Sequence, residues 1–403
     1  MINRKRVIGI CGIVSPAPYA NALCLENVFK ELSHSGYECH VLGVGETKND
    51  FVKNGISYHV IQHPTQNQNS LKRLYSALHL TSLPQTEPHV TKVKYDRLKE
   101  LHEEYCFDCA IGVCASYANV YAALQLKQNY PNVRAIGYYL DSIESLSRLS
   151  GYTRTVRDYF SYKGEEKVFR ELDGIVLPVA SSRIYDDSRY ENIREKLVYA
   201  EFPTFIPKTS KPCDNRAKIE GVKAIIVGTL NDTFRNPRIL FESIRSVCDA
   251  EKLKLHIDVY GPNDENLFSP FRGSEYVSYA LKGRVPHQII EEALTETDFL
   301  INISNSGILA VPSKIFEYFS AYKPMLTQVS DKDDSALSYY ERYDGSCVFY
   351  AFKERIAQEK KLIEFLRSVK HKIIDIEQVN EAFNHNTPAF VSGQIKSIIE
   401  RND

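Results

Sequence analysis

The chain has 403 residues, a formal net charge of -1 and 43% hydrophobic residues. This length exceeds what one simple hydrophobic core needs, so we expect two domains. The near-neutral charge argues against nucleic-acid binding by bulk electrostatics, and no apolar run approaches the roughly 18 residues of a membrane span. The nine cysteines are scattered along the chain, which favours a reduced, cytoplasmic protein.

Two local patterns imitate functional signals. The first residues resemble a secretion signal, but their apolar core is short and the following sequence continues it as one folding unit, so we expect no cleavage. Cys106 and Cys109 have CxxC spacing at the start of a predicted strand, but no second pair accompanies them. We therefore expect them to serve neither zinc binding nor redox chemistry.

The first half of the chain alternates apolar strand patterns with amphipathic helical ones. Predicted strands cover 7–14, 38–44, 56–62, 109–114, 133–140, 174–179 and 197–202, and predicted helices include 116–130, 154–172 and one that stops at Gly36. Continuous apolar runs such as 7–14 are typical of strands buried on both faces. The alternation indicates an open α/β domain with a parallel sheet.

The segment 206–221 is polar, carries two prolines and lacks periodicity, as interdomain linkers do. After it, predicted strands cover 222–227, 254–260, 299–303 and 347–350, and predicted helices cover 238–247, 287–296, 354–369, 376–383 and 388–399. The predicted organisation is an N-terminal domain at 1–205, this linker, a C-terminal domain at 222–385, and a helix within 386–403 that packs back on the N-terminal domain.

The stretch 299–326 organises the second domain. It reads as a strand, a loop of small residues, a helix that opens at Pro312 or Ser313, and a return to strand after Pro324. Proline fixes φ, and a serine hydroxyl can cap free amides at a helix start. Lys314 and Glu317 then share one helix face, beside amides and a macrodipole that attract anions. The combination predicts a site for a sugar diphosphate; the alternative is a surface ion pair on an ordinary helix.

A second motif follows the predicted strand 222–227. A polar loop leads through Arg235, Asn236 and Pro237 into the next helix. Ligands of open α/β sheets bind beyond the carboxyl ends of strands, where this loop and the one before Lys314 both fall. We therefore predict that Arg235 and Lys314 converge on one phosphate cluster. The alternative is a helix-entry turn with a solvated arginine.

The motifs VGTL, FRNP, LFESI, YGP, LKGRVP and PSKIFEY occur in this order over residues 222–330. Together they resemble the C-terminal half of GT-B-fold glycosyltransferases, and PSKIFEY is similar to the motif of the large retaining group that includes many bacterial polysaccharide-building enzymes. The resemblance implies an α/β fold of two Rossmann-like lobes facing a central cleft. It also implies a nucleotide-diphosphate-sugar donor, a glycan or lipid-linked acceptor, and no cofactor or metal.

The same resemblance implies roles for individual positions. Arg235 stands where relatives place a lysine that meets the donor diphosphate, Glu317 matches the acid that binds the nucleotide ribose, and Lys314 faces the phosphates. Two positions depart from the pattern, because Thr229 replaces a common arginine and Leu309 replaces the first acid of a paired-glutamate motif. The donor-binding positions that complete the set are Gly228, Thr229, Asn236, Gly261, Val285, Gly307, Ile308, Leu309 and Ser313.

The acceptor is expected against the first domain. Tyr19 and Asn21 follow the first strand and are predicted to contact acceptor or donor sugar, with helix capping as the alternative for Asn21. Asp141 ends a predicted strand and is a candidate catalytic base; the alternative is that it begins the next loop or helix. Fixed cations stabilise a diphosphate leaving group as the anomeric bond breaks, so the predicted chemistry requires no metal.

Two further features leave alternatives open. Asp331 and Asp333 form a D-x-D pattern, which holds a divalent ion in other transferases; we expect them instead to introduce a helix at 334–342. The region 70–99 is locally basic and partly amphipathic. It predicts either contact with a membrane surface or a solvated helix face that covers the core.

The sequence leaves two function classes in contention. One is a glycosyltransferase of the cytoplasm, peripheral at the inner face of the membrane and acting in polysaccharide or glycoconjugate synthesis. The other is a catalytically silent pair of GT-B lobes serving as a scaffold in polysaccharide assembly, for which the missing acid at Leu309 argues. A nucleotide-sugar epimerase or hydrolase on the same fold lies between them.

Overall fold

A computed structural model describes residues 7–13, 20–45, 49–62, 83–85, 87–114, 116–140, 152–209, 221–306 and 311–401. The chain divides into two compact units. Unit 1 comprises Met1–Thr204 together with His385–Asp403, and unit 2 comprises Phe205–Asn384.

Unit 1 is built on a mainly parallel sheet. Its strands within the described ranges are β1 (Val7–Ile13), β2 (Glu38–Val44), β3 (Phe51–Lys53), β4 (Ile56–Ile61), β5 (Cys109–Cys114), β6 (Arg134–Tyr139), β7 (Gly174–Pro178) and β8 (Leu197–Ala200). They lie in the order β3-β4-β2-β1-β5-β6-β7-β8, with β3 antiparallel to β4 and the other pairs parallel. Every residue of β5 is buried, which explains why this strand reads as an unbroken run of small and apolar residues.

Helices connect these strands. They are α1 (Ala20–His34), α2 (Pro88–Tyr105), α3 (Tyr117–Asn129), α4 (Tyr152–Glu171) and the single turn α5 (Ser182–Tyr185), followed by a 3₁₀ segment at Ser188–Lys196. The predicted stop after α1 is confirmed, because Gly36 takes a φ of 94° there. Helix α3 begins at a capped end, where the Oγ of Ser116 accepts from the amide of Ala118 at 3.2 Å.

A buried carboxyl group joins α4 to the elements around it. Glu165 accepts hydrogen bonds from the phenols of Tyr117, Tyr185 and Tyr190. Burial raises the pKa of Glu165 to about 7, although the three phenol hydrogen bonds oppose this rise. The cluster is polar at its centre and aromatic around it, since Phe169 packs against both Tyr185 and Tyr190.

Unit 2 contains a second parallel sheet. Its strands are β9 (Val222–Val227), β10 (Leu255–Tyr260), β11 (Val277–Gly283), β12 (Phe299–Ile303), β13 (Met325–Val329) and β14 (Ser346–Tyr350), in the order β11-β10-β9-β12-β13-β14. Its helices are α6 (Arg238–Glu251), α7 (His287–Glu296), α8 (Lys314–Phe319), α9 (Leu337–Arg342), α10 (Arg355–Ser368) and α11 (Ile376–Ala382), with a 3₁₀ segment at Glu265–Phe271. None of the helices in the described ranges combines the length and hydropathy needed to span a bilayer.

The last helix, α12 (Pro388–Ile399), belongs to unit 1. Proline occupies its first turn, and the hydroxyl of Thr387 caps it by accepting from the amide of Phe390 at 3.2 Å. Its apolar residues enter the same core cluster as those of α1. Arg134 donates to the carbonyl of Ile398 at 3.2 Å, so the helix is tied to the beginning of β6.

Most predicted elements are confirmed by these bounds. The predicted strands 38–44, 109–114, 222–227 and 299–303 and the helices 287–296 and 388–399 match at both ends. Strands β3 and β11 were not predicted. The predicted helix 334–342 begins only at Leu337, because Asp334 turns back to accept from the amide of Ala336 at 2.7 Å.

The segment predicted as a linker is described at 206–209 and at Gly221, while 210–220 lie outside the described residues. Its first residues pack on unit 2. The amide of Ile206 donates to Ser320 Oγ at 2.8 Å, and the amide of Lys208 donates to the hydroxyl of Tyr322 at 3.0 Å.

Both sheets contain a topological switch point. In unit 2 the chain moves from β9 outward to β10 and β11, then returns to place β12 on the other side of β9. In unit 1 it moves from β1 outward through β2 to β4, then returns to place β5 on the other side of β1. Crevices at such points are where open α/β sheets bind ligands.

Candidate functional site

The candidate site lies at the switch point of unit 2, where β9 and β12 separate. The two strands share only two register pairs, Phe299 with Ala224 and Leu300 with Ile225, whereas β9 pairs with β10 along its whole length. Beyond the second pair, the facing backbone groups of β9 and β12 need other partners, since buried amides and carbonyls are nearly always hydrogen-bonded.

Arg235 supplies one of these partners. Its Nε donates to the carbonyl of Ile303, the last residue of β12, at 3.0 Å, and its Nη1 lies 3.4 Å from the carbonyl of Thr229. The side chain is half-buried. Among the described residues no carboxylate forms an ion pair with this guanidinium, so a fixed and uncompensated positive charge lies in the crevice.

Tyr318 of α8 supplies the other partners. Its hydroxyl donates to the carbonyl of Val227 at 2.5 Å and accepts from the amide of the same residue at 3.1 Å. Burial raises the pKa of Tyr318 to about 12; the Arg235 charge opposes this rise and the Glu317 carboxylate adds to it. Arg235 and Glu317 both change the pKa of this one hydroxyl. These two predicted site residues therefore lie in the same neighbourhood.

The first residues of α8 differ from the prediction in two ways. The helix begins at Lys314, and Ser313 occupies the N-cap position without a side-chain capping hydrogen bond, so the predicted hydroxyl cap is wrong. Helix α8 is also only 6 residues long, so its dipole is much smaller than that of a full-length helix. The positive charge that the structure shows at this site is therefore mainly that of the Arg235 side chain.

Two glycines shape the strand ends beside Arg235. Gly228 follows β9 with a φ of 130°, and Gly261 follows β10 with a φ of 118°. A Cβ on Gly261 would lie 2.6 Å from the carbonyl oxygen of Gly228. Both positions therefore require glycine, and the two loops are held in direct contact.

Asparagine side chains hold these loops in place. Asn231 Oδ1 accepts from the amides of Thr233, Phe234 and Arg235 at 3.0, 2.7 and 3.3 Å, which folds the loop that carries the guanidinium. Asn263 Nδ2 donates to the carbonyl of Gly228 at 2.9 Å and its Oδ1 accepts from the amide of Leu230 at 2.7 Å. These positioning residues were not predicted, although asparagine is typical of turns because its side chain can accept from an amide two residues later.

The loops after β9 and β12 are also joined directly, because the amide of Ser306 donates to the carbonyl of Phe234 at 2.7 Å. Asn236, predicted to bind the donor, uses its side chain within the loop. Its Oδ1 accepts from the amide of Arg238 at 3.0 Å, and its carbonyl accepts from Gln328 Nε2 at 2.7 Å.

A second polar cluster adjoins the end of β12. Ser304 Oγ donates to Asp334 and lies 3.2 Å from the hydroxyl of Tyr340. Burial raises the pKa of the Asp334 carboxyl, although its hydrogen bonds from Ser304 and Ala336 oppose this. Within the described ranges, no three side chains of His, Cys, Asp or Glu gather as a metal site would require.

The remaining predicted site residues fall into two groups. Gly307, Ile308, Leu309, Tyr19 and Asp141 lie outside the described residues. Asn21 is the second residue of α1. Val285, predicted near the base, is half-buried between β11 and α7.

The basic region 70–99 is described only in part, and 70–82 lie outside the described residues. The described portion belongs mainly to α2. Lys92 pairs with Asp96 at 3.3 Å, Arg97 with Glu100 at 2.8 Å, and Lys99 with its i+4 neighbour. These three cations are therefore balanced by carboxylates on their own helix.

No family model matches the chain, and no curated protein sequence is similar to it. Solved structures match over nearly the whole length. A glycosyltransferase from Rickettsia africae ESF-5 aligns with a TM-score of 0.65 at 12% identity, covering 99% of this chain and 100% of that one. Sucrose-phosphate synthase from Thermosynechococcus elongatus aligns with a TM-score of 0.63 at 10% identity, covering 98% of each chain.

A third similar structure is that of E. coli trehalose-6-phosphate bound with UDP-2-fluoro glucose, with a TM-score of 0.63 at 11% identity over 98% of this chain and 99% of that one. At these identities the likeness establishes the fold. The chain has the α/β fold of two Rossmann-like domains found in GT-B glycosyltransferases, and the predicted fold class is confirmed.

Proposed function

We propose that the chain is a glycosyltransferase that moves a sugar from a nucleotide-diphosphate-sugar to a glycan or lipid-linked acceptor. The observation that carries this proposal is the Arg235 guanidinium, fixed by Ile303 in the crevice between β9 and β12. A planar cation at the carboxyl edge of such a sheet is suited to the oxygens of a diphosphate. One structure with the same fold holds a UDP-sugar analogue.

The other donor contacts follow from the same edge of the sheet. Lys314, the first residue of α8, supplies a second positive charge for the phosphates, and Glu317 on the same helix accepts from the ribose hydroxyls. Gly228 and Gly261 leave the strand ends without side chains, so a nucleotide can approach the backbone closely. Val285, Ser313 and the segment 307–309 complete the donor pocket.

Transfer requires the donor diphosphate to gain negative charge as the anomeric bond breaks. A cation already held in place stabilises that charge more in the transition state than in the ground state, without reorganisation during the reaction. Arg235 and Lys314 supply this charge, so we propose a reaction that does not depend on a divalent metal. The resemblance of the segment from Pro312 to Tyr318 to the retaining group supports transfer with retention of configuration.

The acceptor is proposed to bind unit 1, where Tyr19, Asn21 and Asp141 follow strand ends. Asp141 orients or deprotonates the acceptor hydroxyl. The product is a cell-surface polysaccharide or another glycoconjugate, and binding to the membrane surface through the region 70–99 brings the enzyme to a lipid-linked acceptor.

The proposal is tested by incubating the full chain with a panel of nucleotide-sugars, with and without EDTA, and following sugar release or transfer by mass spectrometry. Arg235→Ala and Glu317→Ala are compared with Arg238→Ala. Arg238 is a suitable control because its side chain is 75% exposed and pairs with Glu242 on the surface of α6. We expect turnover of at least one nucleotide-sugar, unchanged by EDTA, retained in Arg238→Ala and lost in the other two variants.

Other outcomes identify the alternatives. Nucleotide-sugar binding without turnover for any donor and acceptor would favour a scaffold. A changed sugar on an intact nucleotide would favour an epimerase. No nucleotide binding in the wild type, or equal binding in Arg235→Ala, would contradict the donor site itself.

A further inference from the structure

The switch point of unit 1 also contains a cation that forms no ion pair with any carboxylate among the described residues. Lys94 of α2 is 5% exposed and Asn119 of α3 is 1% exposed. The Lys94 ammonium donates to Asn119 Oδ1, and Asn119 Nδ2 donates to the carbonyl of Val113 at 2.7 Å. Since Val113 is the last residue but one of β5, the ammonium lies near the carboxyl end of the strand that follows the switch point.

The charge of Lys94 is not balanced as the neighbouring charges are. Lys92, Arg97 and Lys99 on the same helix each pair with a carboxylate, whereas among the described residues Lys94 has only the neutral amide of Asn119. An ammonium group has three donors, and a buried charge without a counter-ion is destabilising. A partner that is absent from the free protein would explain why a lysine occupies this position.

The beginning of α3 also favours an anionic partner. This helix has 13 residues, and its N-terminal end lies at the carboxyl edge of the sheet beside Asn119, so its dipole adds positive potential there. Glu87 accepts from Ser116 Oγ at the cap of α3 at 3.0 Å, but no ion pair joins it to Lys94 within the described part of the chain.

We propose that Lys94 and Asn119 form a subsite for a phosphate group of the acceptor at the switch point of unit 1. That the phosphate belongs to an acceptor rests on the proposed transferase function. Binding of phosphate at this subsite can be tested without measuring activity. Lys94 binds the phosphate oxygens as a point charge, and Asn119, held by β5, fixes the ammonium in position. The phosphate belongs either to a soluble sugar phosphate or to a lipid phosphate.

The subsite predicts an unusual pair of effects for Lys94→Met. Without ligand, this variant unfolds at the same Tm as the wild type or higher, because an uncompensated buried charge has been removed. With ligand, the variant loses the stabilisation that phosphate gives the wild type. A lysine that served only to pack α2 against α3 would show the reverse pattern, with a lower Tm and an unchanged response to phosphate.

The experiment measures Tm of the full chain against inorganic phosphate concentration, at constant ionic strength, for the wild type, Lys94→Met and Lys92→Met. Lys92 is the control because it lies on the same helix with a side chain that is 74% exposed. Every protein is also measured in an Arg235→Met background, which removes the proposed phosphate site of unit 2. In the Arg235→Met background we expect a saturable rise in Tm that persists with Lys92→Met and disappears with Lys94→Met.

An equal response in the Lys94→Met and Lys92→Met variants would overturn the subsite. If Lys94→Met does not fold, Lys94→Gln takes its place, because it keeps an N–H donor for Asn119 without the charge. Glucose 1-phosphate and dodecyl phosphate are then compared to identify a soluble or a lipid source. Nucleotide affinity is measured on the same variants. Loss of nucleotide affinity in Arg235→Met alone reports on the donor site. Loss of the phosphate response in Lys94→Met alone reports on the subsite of unit 1.

Discussion

The Nε of Arg235 donates to the carbonyl of Ile303 at 3.0 Å, where β9 and β12 have stopped pairing. The separation of the two strands thus creates the crevice and frees the carbonyl that fixes the cation within it. The orientation of the guanidinium is set by the backbone of the sheet. An arginine held in this way is preorganised for an anion, since little side-chain entropy remains to be lost on binding.

This relationship predicts that charge alone is insufficient at position 235. Arg235→Lys keeps the positive charge but loses the Nε contact with Ile303, so we expect about a tenfold loss in nucleotide affinity and a loss on the order of a hundredfold for Arg235→Ala. Calorimetric titration with the preferred nucleotide provides the measurement. Equal affinity in Arg235→Lys and the wild type would show that the anchor is unimportant.

The side chain of Asn231 is predicted to act through Arg235. Asn231→Ala removes the oxygen that accepts from three loop amides, so we expect a stability loss of about 1–2 kcal/mol and a larger rise in donor KM than fall in kcat. Asn231→Asp keeps that acceptor and should restore most of the affinity. Denaturant unfolding and donor kinetics measure the two effects, and identical kinetics in all three proteins would exclude a positioning role.

The hydroxyl of Tyr318 replaces a strand partner for Val227. Tyr318→Phe leaves a buried amide and a buried carbonyl without that partner, so we expect the free energy of unfolding to fall by about 2–3 kcal/mol. Tyr350→Phe is the matched control, because its hydroxyl bonds to Glu341 at an exposed position, and we expect a change below about 0.5 kcal/mol. Urea unfolding of both variants tests the difference; similar losses would mean that the hydroxyl of Tyr318 does not hold the strand end.

The raised pKa of Glu165 predicts that this group makes the protein less stable as pH rises, whereas a salt-bridged carboxylate makes it more stable. Its pKa rises from an ordinary value of 4.5 to about 7 in the folded protein because it is buried. Between these values the folded protein keeps a proton that the unfolded chain has lost. Stability therefore falls as pH rises through this window, by about 3 kcal/mol for this group once pH exceeds the folded value.

Glu165→Gln is expected to lack this contribution, so the difference in unfolding free energy between variant and wild type should grow from pH 5 to pH 8 in favour of the variant. Glu166→Gln is the control, since the neighbouring carboxylate pairs with Arg170 near the surface. Urea unfolding at several pH values gives the comparison. A difference independent of pH would contradict a raised pKa for Glu165.

Much of the architecture could be predicted from hydrophobic patterns. Strand 109–114 and strand 222–227, which is apolar except for Lys223, were predicted at both ends because short apolar runs bounded by polar turns are typical of buried strands. Strand β11 was missed because six of its seven residues are not buried, so its sequence carries little apolar signal. Strand β3, with three residues, is held mainly by its antiparallel partner β4.

The site was predicted less completely than the fold. Arg235 was predicted from its loop after a strand end and Glu317 from its spacing to Lys314 on one helix face. Both charges act on the pKa of the Tyr318 hydroxyl, and their role in donor binding stays a prediction. The hydrogen bonds of Tyr318 to Val227 could not be inferred from the sequence. They depend on the divergence of β9 and β12, which has no local sequence signal. The predicted cap by the Ser313 hydroxyl is wrong, because the short helix that follows Pro312 begins without a side-chain cap.

The return of the chain to unit 1 has a consequence for the order of synthesis. A methyl group of Ile398 on α12 already occupies the space beside Gly174, and apolar residues of α12 share a core with α1. Unit 1 therefore cannot close its interior until Pro388–Ile399 has been made, after the whole of unit 2. Unit 2, made from one uninterrupted segment, is free to fold earlier, so unit 1 begins before unit 2 and is completed after it.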